Sequence, residues 1–123
     1  SLVNVHILVD RLRIERVLVN LLGNAAEHAG GATSITIHQE KSLLTIHVDD
    51  NGPGLPEDER IEVFSRFARG RHAARGTGSG LGLAIAMQHA KVMNGNIAIS
   101  DHSHNGKTGL RFTVTMPVES DVS

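Results

Sequence analysis

The chain has 123 residues and a formal net charge of −1, which suits one domain of ordinary size and argues against a nucleic-acid partner. It contains no cysteine, which excludes disulfides and thiolate zinc sites, and three phenylalanines without tryptophan or tyrosine predict an aliphatic core. The eight histidines lack the spacing of a zinc site, so we expect none of them to be a metal ligand. No apolar run reaches the ~20 residues of a membrane span, no signal peptide is evident, and we expect the chain to be a piece of a longer protein.

The first predicted helix covers residues 10–29 and follows a short strand near the start of the chain. Asp10 is a suitable N-cap, and Gly30-Gly31 ends the helix. Its apolar face is predicted from residues at helical spacing, namely Ile14, Val17, Leu18, Leu21, Leu22 and Ala25.

Two asparagines, Asn20 and Asn24, are four residues apart in this helix and therefore lie on one face, off the apolar stripe. Their side-chain oxygens are the kind of ligand that Mg²⁺ prefers, together with water and substrate phosphates. The alternative is that both are ordinary surface residues, although asparagine is a poor helix former. The pair is thus a candidate magnesium site.

Two strands with alternating apolar residues are predicted next, the first around Ile35 and Ile37 and the second ending at Asp50. Asp50 is in phase with the apolar residues of its strand, so its carboxylate points inward and needs a donor, such as the exocyclic amine of a ligand. Gly52 and Gly54 permit a tight turn and the close approach of a flat ring. The alternative is an ordinary Asp-Asn-Gly turn between strands.

A short helix from Pro56 to Phe64 and a loop over residues 65–79 are predicted after this turn. The loop lacks hydrophobic periodicity and is longer than compact domains usually contain, so we expect it to be a lid. Phe64 and Phe67 would hold its root against the core. One or two of the loop's arginines would touch a ligand phosphate, and these arginines are Arg66, Arg69, Arg71 and Arg75.

Alternating glycines from Gly76 to Gly82 precede a second long helix over residues 81–93, which Asn94-Gly95 ends. A glycine-rich run that opens a helix presents backbone N–H groups and the positive end of the helix dipole to an anion. Neither of the common phosphate-loop patterns occurs, and a flexible linker is the alternative. Two more strands, around Ile97 and from Leu110 to Met116, close the domain.

This order of helices and strand pairs predicts an α/β (α+β) fold, a two-layer sandwich of a mixed or largely antiparallel sheet with helices on one face. We expect the domain to span residues 1–118, with the lid at about 65–79 and a loose tail at 119–123.

The motifs, in this order, resemble those of the catalytic, ATP-binding domain of bacterial sensor histidine kinases in the GHKL superfamily. Asn20–His28 is similar to the N box, Asp50–Gly54 to the G1 box, Phe64–Phe67 to the F box and Gly78–Leu83 to the G2 box. Gly109–Pro117 resembles the closing strand of that family. The resemblance covers nearly the whole chain and implies a Bergerat-type fold with Mg-ATP as the ligand.

The resemblance also implies a role for each motif. Asn24, with Asn20 nearby, would hold Mg²⁺, Asp50 would receive the adenine amino group, and Gly52 and Gly54 would shape the adenine pocket. The other implied nucleotide contacts are Phe67, Gly78, Ser79, Gly80, Leu81 and Gly82. The candidate catalytic residues are Asn24, Arg69, which would reach the γ-phosphate, and Glu15, a candidate general base near the N box.

Partners follow from the same resemblance. The γ-phosphoryl group would pass to a histidine on a separate dimerisation domain of the parent protein, and then to an aspartate of a response regulator. No histidine of the chain stands in an H-[DE]-x-P context, so we expect this fragment to be monomeric and the parent to be a homodimer. The domain would be cytoplasmic, and the parent would lie in the cell membrane.

Three positions depart from the family pattern. Glu27 stands where a basic residue is usual, Ala68 where an aromatic residue is frequent and Leu110 where threonine or serine is usual. Glu27 and Ala68 motivate one alternative, a degenerate and weakly binding regulatory module. Another alternative is a different GHKL enzyme, such as an anti-sigma serine kinase or the ATPase module of a chaperone, topoisomerase or MutL-type protein, although the F-box phenylalanines favour the sensor-kinase branch.

Overall fold

The computed structural model of the chain describes residues 2–60, 62–64, 82–104 and 106–118. Two 3₁₀ turns, Glu57–Glu59 and Glu62–Phe64, follow the second strand. The predicted lid at 65–79 and the predicted tail at 119–123 lie outside the described residues. The helices are α1 (Leu2–Ala29) and α2 (Gly82–Val92), and the strands are β1 (Ala32–Glu40), β2 (Leu43–Asp50), β3 (Asn96–His104) and β4 (Lys107–Pro117).

The strands form one sheet in the order β1-β2-β4-β3, and every described pairing is antiparallel. Ile46 of β2 lies opposite Ile37 of β1 and Val114 of β4. Because side chains alternate between the two faces of a sheet, this register collects the apolar residues of the strands on one face. The predicted two-layer sandwich with a largely antiparallel sheet is confirmed.

The core lies between this apolar face and the two helices. Burying one aliphatic side chain of this kind contributes about 1.5–3 kcal/mol, so the helices are held to the sheet mainly by these residues. The apolar side chains that are at most 1% exposed come from α1, α2, β2 and β4, and the larger ones are Val17, Leu21, Ile46, Leu110, Val114 and Met116. No described helix combines the length and apolar character that crossing a membrane requires.

The start of α1 differs from the prediction. The helix begins at Leu2 rather than at residue 10, so the predicted initial strand is wrong and Asp10 is an interior helical residue, not an N-cap. The physical reason is that no glycine or proline precedes Gly23, and Leu2, Val5 and Val9 also recur at helical spacing. The helix therefore includes the segment before residue 10, in which the β-branched residues had indicated a strand.

The end of α1 is as predicted. Gly30 and Gly31 have φ angles of 75° and 115°, which glycine adopts far more readily than other residues. The backbone N–H of Gly31 donates to the carbonyl oxygen of Ala25 at 2.9 Å and closes the last turn. This bond keeps the C-terminal end of α1 beside the start of β1.

The end of α2 also agrees with the prediction. Asn94 has a φ angle of 60°, and the N–H of Gly95 donates to the carbonyl oxygen of Ala90 at 2.8 Å. A Cβ atom on Gly95 would stand 2.3 Å from the carbonyl oxygen of Thr115 in β4. Glycine is therefore required where the chain leaves α2 and passes close to the sheet.

The segment Pro56–Phe64 contains two 3₁₀ turns instead of the predicted short helix. A segment this short gains few backbone bonds for the residues it orders, so the tighter turn is sufficient. The side chain of Arg60, after the first turn, donates to the carbonyl oxygen of Leu55 at 2.9 Å and pairs with Asp101 of β3. Phe64 packs against the core, as predicted for the root of the lid.

Candidate functional site

The two asparagines lie one turn apart in α1, and Asn20 lies against the start of α2. Nδ2 of Asn20 donates to the carbonyl oxygen of Arg16 at 2.8 Å. Oδ1 of Asn20 faces α2, because a Cβ atom on Gly82 would stand 3.6 Å from it. Nδ2 of Asn24 is buried without a hydrogen-bond partner in the part of the chain that the structure describes. The pair thus offers an oxygen toward the N-terminus of α2 and a polar group whose bonding is incomplete.

Asp50 is the last residue of β2 and is 1% exposed. Its Oδ1 accepts hydrogen bonds from the backbone N–H groups of Gly52 at 2.9 Å and Leu110 at 3.2 Å. Because both hydrogen bonds that Asp50 accepts from described residues reach Oδ1, Oδ2 is the oxygen left to accept from a ligand. The carboxylate of Asp50 is therefore buried and hydrogen-bonded, as its position in phase with the apolar residues of β2 predicts.

The backbone around Asp50 is unusually tight. A Cβ atom on Gly109 would stand 1.8 Å from the carbonyl oxygen of Asp50, so only glycine fits at this point of β4. Gly54 has a φ angle of 81°, which explains why a glycine follows the turn. Oδ1 of Asn51 is buried without a hydrogen-bond partner among the described residues. The turn after β2 is therefore shaped by glycines and retains an unused polar atom.

The fold brings these groups to one end of the domain. The bond from Gly31 to Ala25 places the C-terminal turn of α1, with Asn24, beside the start of β1. Ala32 of β1 is paired with Asp50, the last residue of β2. Since Gly82 lies against Asn20, the N-terminus of α2 belongs to the same end. A carboxylate, two carboxamides and the positive end of a helix dipole thus lie at the same end of the domain.

Several predicted site residues fall outside the described part of the chain. They are Phe67, Arg69, Gly78, Ser79, Gly80 and Leu81, and their roles remain predictions. Gly82 is described and is the first residue of α2.

Glu15 is not brought to the asparagines. It precedes Asn20 by five residues, which places it about 140° around the helix axis. Its carboxylate lies 3.7 Å from Nε of Arg11, and both side chains are more than half exposed. The position indicates a solvated helix face, and a role as general base remains a prediction.

A second carboxylate, Asp49, was not singled out from the sequence. Its Oδ1 and Oδ2 accept from Nε and Nη2 of Arg111 at 2.7 and 3.0 Å, and Oδ2 also accepts from Oγ of Ser34 at 3.1 Å. Nε2 of His102 lies 3.6 Å from Oδ2. Burial raises the pKa of Asp49, but the bonds from Arg111 and Ser34 and the charges of Arg111 and His102 outweigh it and hold that pKa below its usual value.

These four residues belong to four different strands and converge only through the register. Ser34 and Arg111 are both paired with Asp49, and His102 is paired with Gly109. The one local signal is that Asp49 and Arg111 are out of phase with the apolar residues of their strands, hence on the face without helices. That signal does not predict which residues of the four strands contact one another.

Comparison of the sequence with known proteins shows the family to which the chain belongs. The sequence profile described as "Histidine kinase-, DNA gyrase B-, and HSP90-like ATPase" matches residues 9–120. The chain is 37% identical over 114 residues to the signal transduction histidine-protein kinase AfsQ2 of Streptomyces coelicolor. This match covers 92% of the chain but 21% of AfsQ2, so the chain spans about a fifth of the length of that curated relative.

Solved structures agree in fold. The mycobacterial sensor histidine kinase MprB superposes with a TM-score of 0.72 at 28% identity, over 87% of this chain and 71% of that one. The ATP binding domain of PrrB from Mycobacterium tuberculosis superposes with a TM-score of 0.62 at 29% identity, over 89% of this chain and 69% of that one. The chain therefore belongs to the histidine kinase-, DNA gyrase B- and HSP90-like ATPase family, as an ATP-binding catalytic domain of the sensor histidine kinase type.

Proposed function

We propose that the chain binds Mg-ATP between α1, the end of β2 and the start of α2, and that it supplies the γ-phosphoryl group to a histidine of its parent protein. The observation that carries this proposal is the position of Asn20 against Gly82, at the same end of the fold as the buried carboxylate of Asp50. A cation ligand, an anion-binding helix end and a base-reading carboxylate are thereby within one site.

Each group has a distinct chemical role. Oδ2 of Asp50 accepts from the exocyclic amine of adenine, while Oδ1 is held by the N–H groups of Gly52 and Leu110. Asn24, with Asn20, holds Mg²⁺ through side-chain oxygen, which suits a cation that keeps water and phosphate oxygens as its other ligands. The N-terminus of α2 at Gly82 stabilises phosphate charge.

Catalysis of this kind consists of positioning and charge neutralisation. Mg²⁺ supplies the neutralisation of the developing phosphate charge when it is bound. The chain's own residues orient the nucleotide, since Asp50 fixes the base and α2 receives the phosphates. Arg69 would approach the γ-phosphate, and the lid at 65–79 would exclude water from the transfer.

The acceptor histidine is proposed to lie on a dimerisation domain of the parent protein, because no histidine of this chain has an H-[DE]-x-P context. The phosphoryl group would then pass to an aspartate of a response regulator. The parent would be a homodimer in the cell membrane, with this domain on the cytoplasmic side.

Calorimetric titration of the chain with a non-hydrolysable ATP analogue, with and without Mg²⁺, tests the proposal. Asn24→Ala should abolish the Mg²⁺-dependent part of the affinity. Asn96→Ala, at an exposed residue of β3, is the matched control and should bind like the wild type. If the wild type binds the analogue weakly and equally with or without Mg²⁺, the chain is a degenerate regulatory module instead.

Phosphotransfer needs the parent protein. There, Asn24→Ala should stop autophosphorylation on histidine, as measured with radiolabelled ATP and acid-labile product. An unchanged rate in that variant would contradict the assignment.

A further inference from the structure

Asp49 is a buried carboxylate on the face of the sheet that carries no described helix. Its strand neighbours Val48 and Asp50 point to the helices, so Asp49 points away from them. The residue is nevertheless 1% exposed. Removing a carboxylate from water is expensive unless it is paired and hydrogen-bonded, so its surroundings must compensate.

The compensation comes from the three other strands of the sheet. Arg111 of β4 donates two bonds, one to each oxygen of Asp49, at 2.7 and 3.0 Å. Ser34 of β1 donates one bond at 3.1 Å, and His102 of β3 lies 3.6 Å away. A two-pronged arginine–carboxylate pair fixes orientation as well as distance, because both bonds must remain parallel.

This pair is directly joined to the base-reading carboxylate. Asp49 and Asp50 are consecutive in β2, and Leu110 and Arg111 are consecutive in β4. On one face of the sheet, Oδ1 of Asp50 accepts from the N–H of Leu110 at 3.2 Å. On the other face, Asp49 binds Arg111. The end of β2 is thus held to β4 from both sides, and it cannot rotate about its axis without breaking one of these bonds.

We propose that Asp49 and Arg111 are positioning residues for Asp50, which set how well the site distinguishes adenine from other bases. The inference rests on the proposed function, in which Oδ2 of Asp50 accepts from the adenine amine. A hydrogen bond to a carboxylate weakens steeply when its angle changes, so a small rotation of the β2 end is enough to reduce this discrimination.

A purely structural role makes a different prediction. If the pair only stabilised the sheet, its loss would lower the melting temperature but leave the ratio of affinities for two nucleotides unchanged in molecules that remain folded. The suitable pair of nucleotides is ATP and inosine triphosphate, because the latter lacks the exocyclic amine and has the same triphosphate.

The experiment compares dissociation constants for Mg-ATP and Mg-inosine triphosphate in the wild type, Asp49→Asn, Arg111→Gln and the double variant. Each single variant should reduce the preference for ATP about tenfold, within the worth of one hydrogen bond to a charged group. The double variant should show about the same loss as either single variant, since both changes break one pair. All titrations are run at a temperature where circular dichroism shows a folded chain.

Thr113→Val is the matched control. Thr113 lies in β4 on the same face of the sheet as Arg111, two residues further from the end of β2. It shares a 3.0 Å hydrogen bond with His47, the residue of β2 with which it is paired. Its loss should weaken the sheet without changing the ratio. Should Asp49→Asn fail to fold, Arg111→Lys keeps the charge but not the two-pronged geometry, and it should reduce the ratio about threefold.

The outcomes separate this inference from the proposed function. If Asp50→Asn removes the preference for ATP while the variants of Asp49 and Arg111 keep it, the positioning role is wrong and the base-reading role stands. If the wild type shows no preference for ATP, or Asp50→Asn does not change it, the base-reading role itself is wrong.

Discussion

Gly109 of β4 lies against the carbonyl oxygen of Asp50 so closely that a Cβ atom on residue 109 would stand 1.8 Å from it. The obstacle is backbone at the end of β2, which a rotamer change cannot move. The identity of residue 109 therefore controls the position of the carboxylate that is proposed to read the base, although Gly109 has no side chain that could contact a ligand.

Gly109→Ala should destabilise the domain by about 2–4 kcal/mol, beyond ordinary overpacking, because β2 and β4 must separate at their ends. Nucleotide affinity should fall with it. Urea unfolding measures the first effect and titration with the ATP analogue measures the second. Gly23→Ala is the control, since nothing lies within 4 Å of its Cβ position in α1 and alanine favours a helix by about 0.5–1 kcal/mol. Equal stability of the two variants would show that the contact does not exist in solution.

Asn24→Ala should make the domain more stable while removing its magnesium-dependent affinity. Nδ2 of Asn24 is buried without a partner among the described residues, and asparagine is a poor helix former. Removing both disadvantages should raise the free energy of unfolding by about 0.5–1.5 kcal/mol. Denaturant unfolding without nucleotide checks the gain. A loss of stability instead would mean that Asn24 is a structural residue and not one kept for a ligand.

The sequence alone predicted which chemical groups belong to the candidate site, but it did not predict the contacts that hold them in position. The phase of Asp50 in its strand, and the spacing of Asn20 and Asn24, are local properties, and the structure places all three at one end of the fold. The pairing of Asp49 with Arg111 joins residues far apart in the chain, because it depends on the β2–β4 register. Local alternation is compatible with more than one register.

The local pattern of the strands also did not predict how deeply each apolar side chain is buried. Ile37 and Ile46 are paired across β1 and β2 and share a face, as their alternation predicted. Ile46 is 1% exposed, however, and Ile37 is 61% exposed, because β1 is the edge strand. How far the helices reach across the sheet decides this difference, and that depends on α1 packing against α2.

The same pair gives a direct test of the fold. Ile46→Thr should lower the free energy of unfolding by about 2–3 kcal/mol, since a buried ethyl group is replaced by a hydroxyl. Ile37→Thr should change it by less than about 0.5 kcal/mol, because the side chain is exposed and both residues are β-branched. Urea unfolding of both variants suffices. A large loss for Ile37→Thr would show that a further element covers β1 in solution.

Low pH should lower the stability of this domain through protonation of Asp49. Its pKa lies below the ordinary value of about 3.9, because the bonds from Arg111 and Ser34 outweigh the effect of burial. Between the two values the unfolded chain binds a proton that the folded chain does not. The stabilisation is therefore complete above about pH 5 and is lost as the pH falls through the folded pKa.

Asp49→Asn should remove this part of the pH dependence. The free energy of unfolding of this variant should lie below that of the wild type at neutral pH. The two curves should approach each other as the pH falls below about 4 and through the lowered pKa of Asp49 in the folded chain, because the wild-type carboxylate is then protonated as well. Urea unfolding from about pH 7 down to pH 2.5 measures both curves. Asp101→Asn is the control, since that side chain is 82% exposed and should keep the acid slope of the wild type. A gap between wild type and Asp49→Asn that stayed constant with pH would mean that the charge of Asp49 contributes nothing and that only its packing matters.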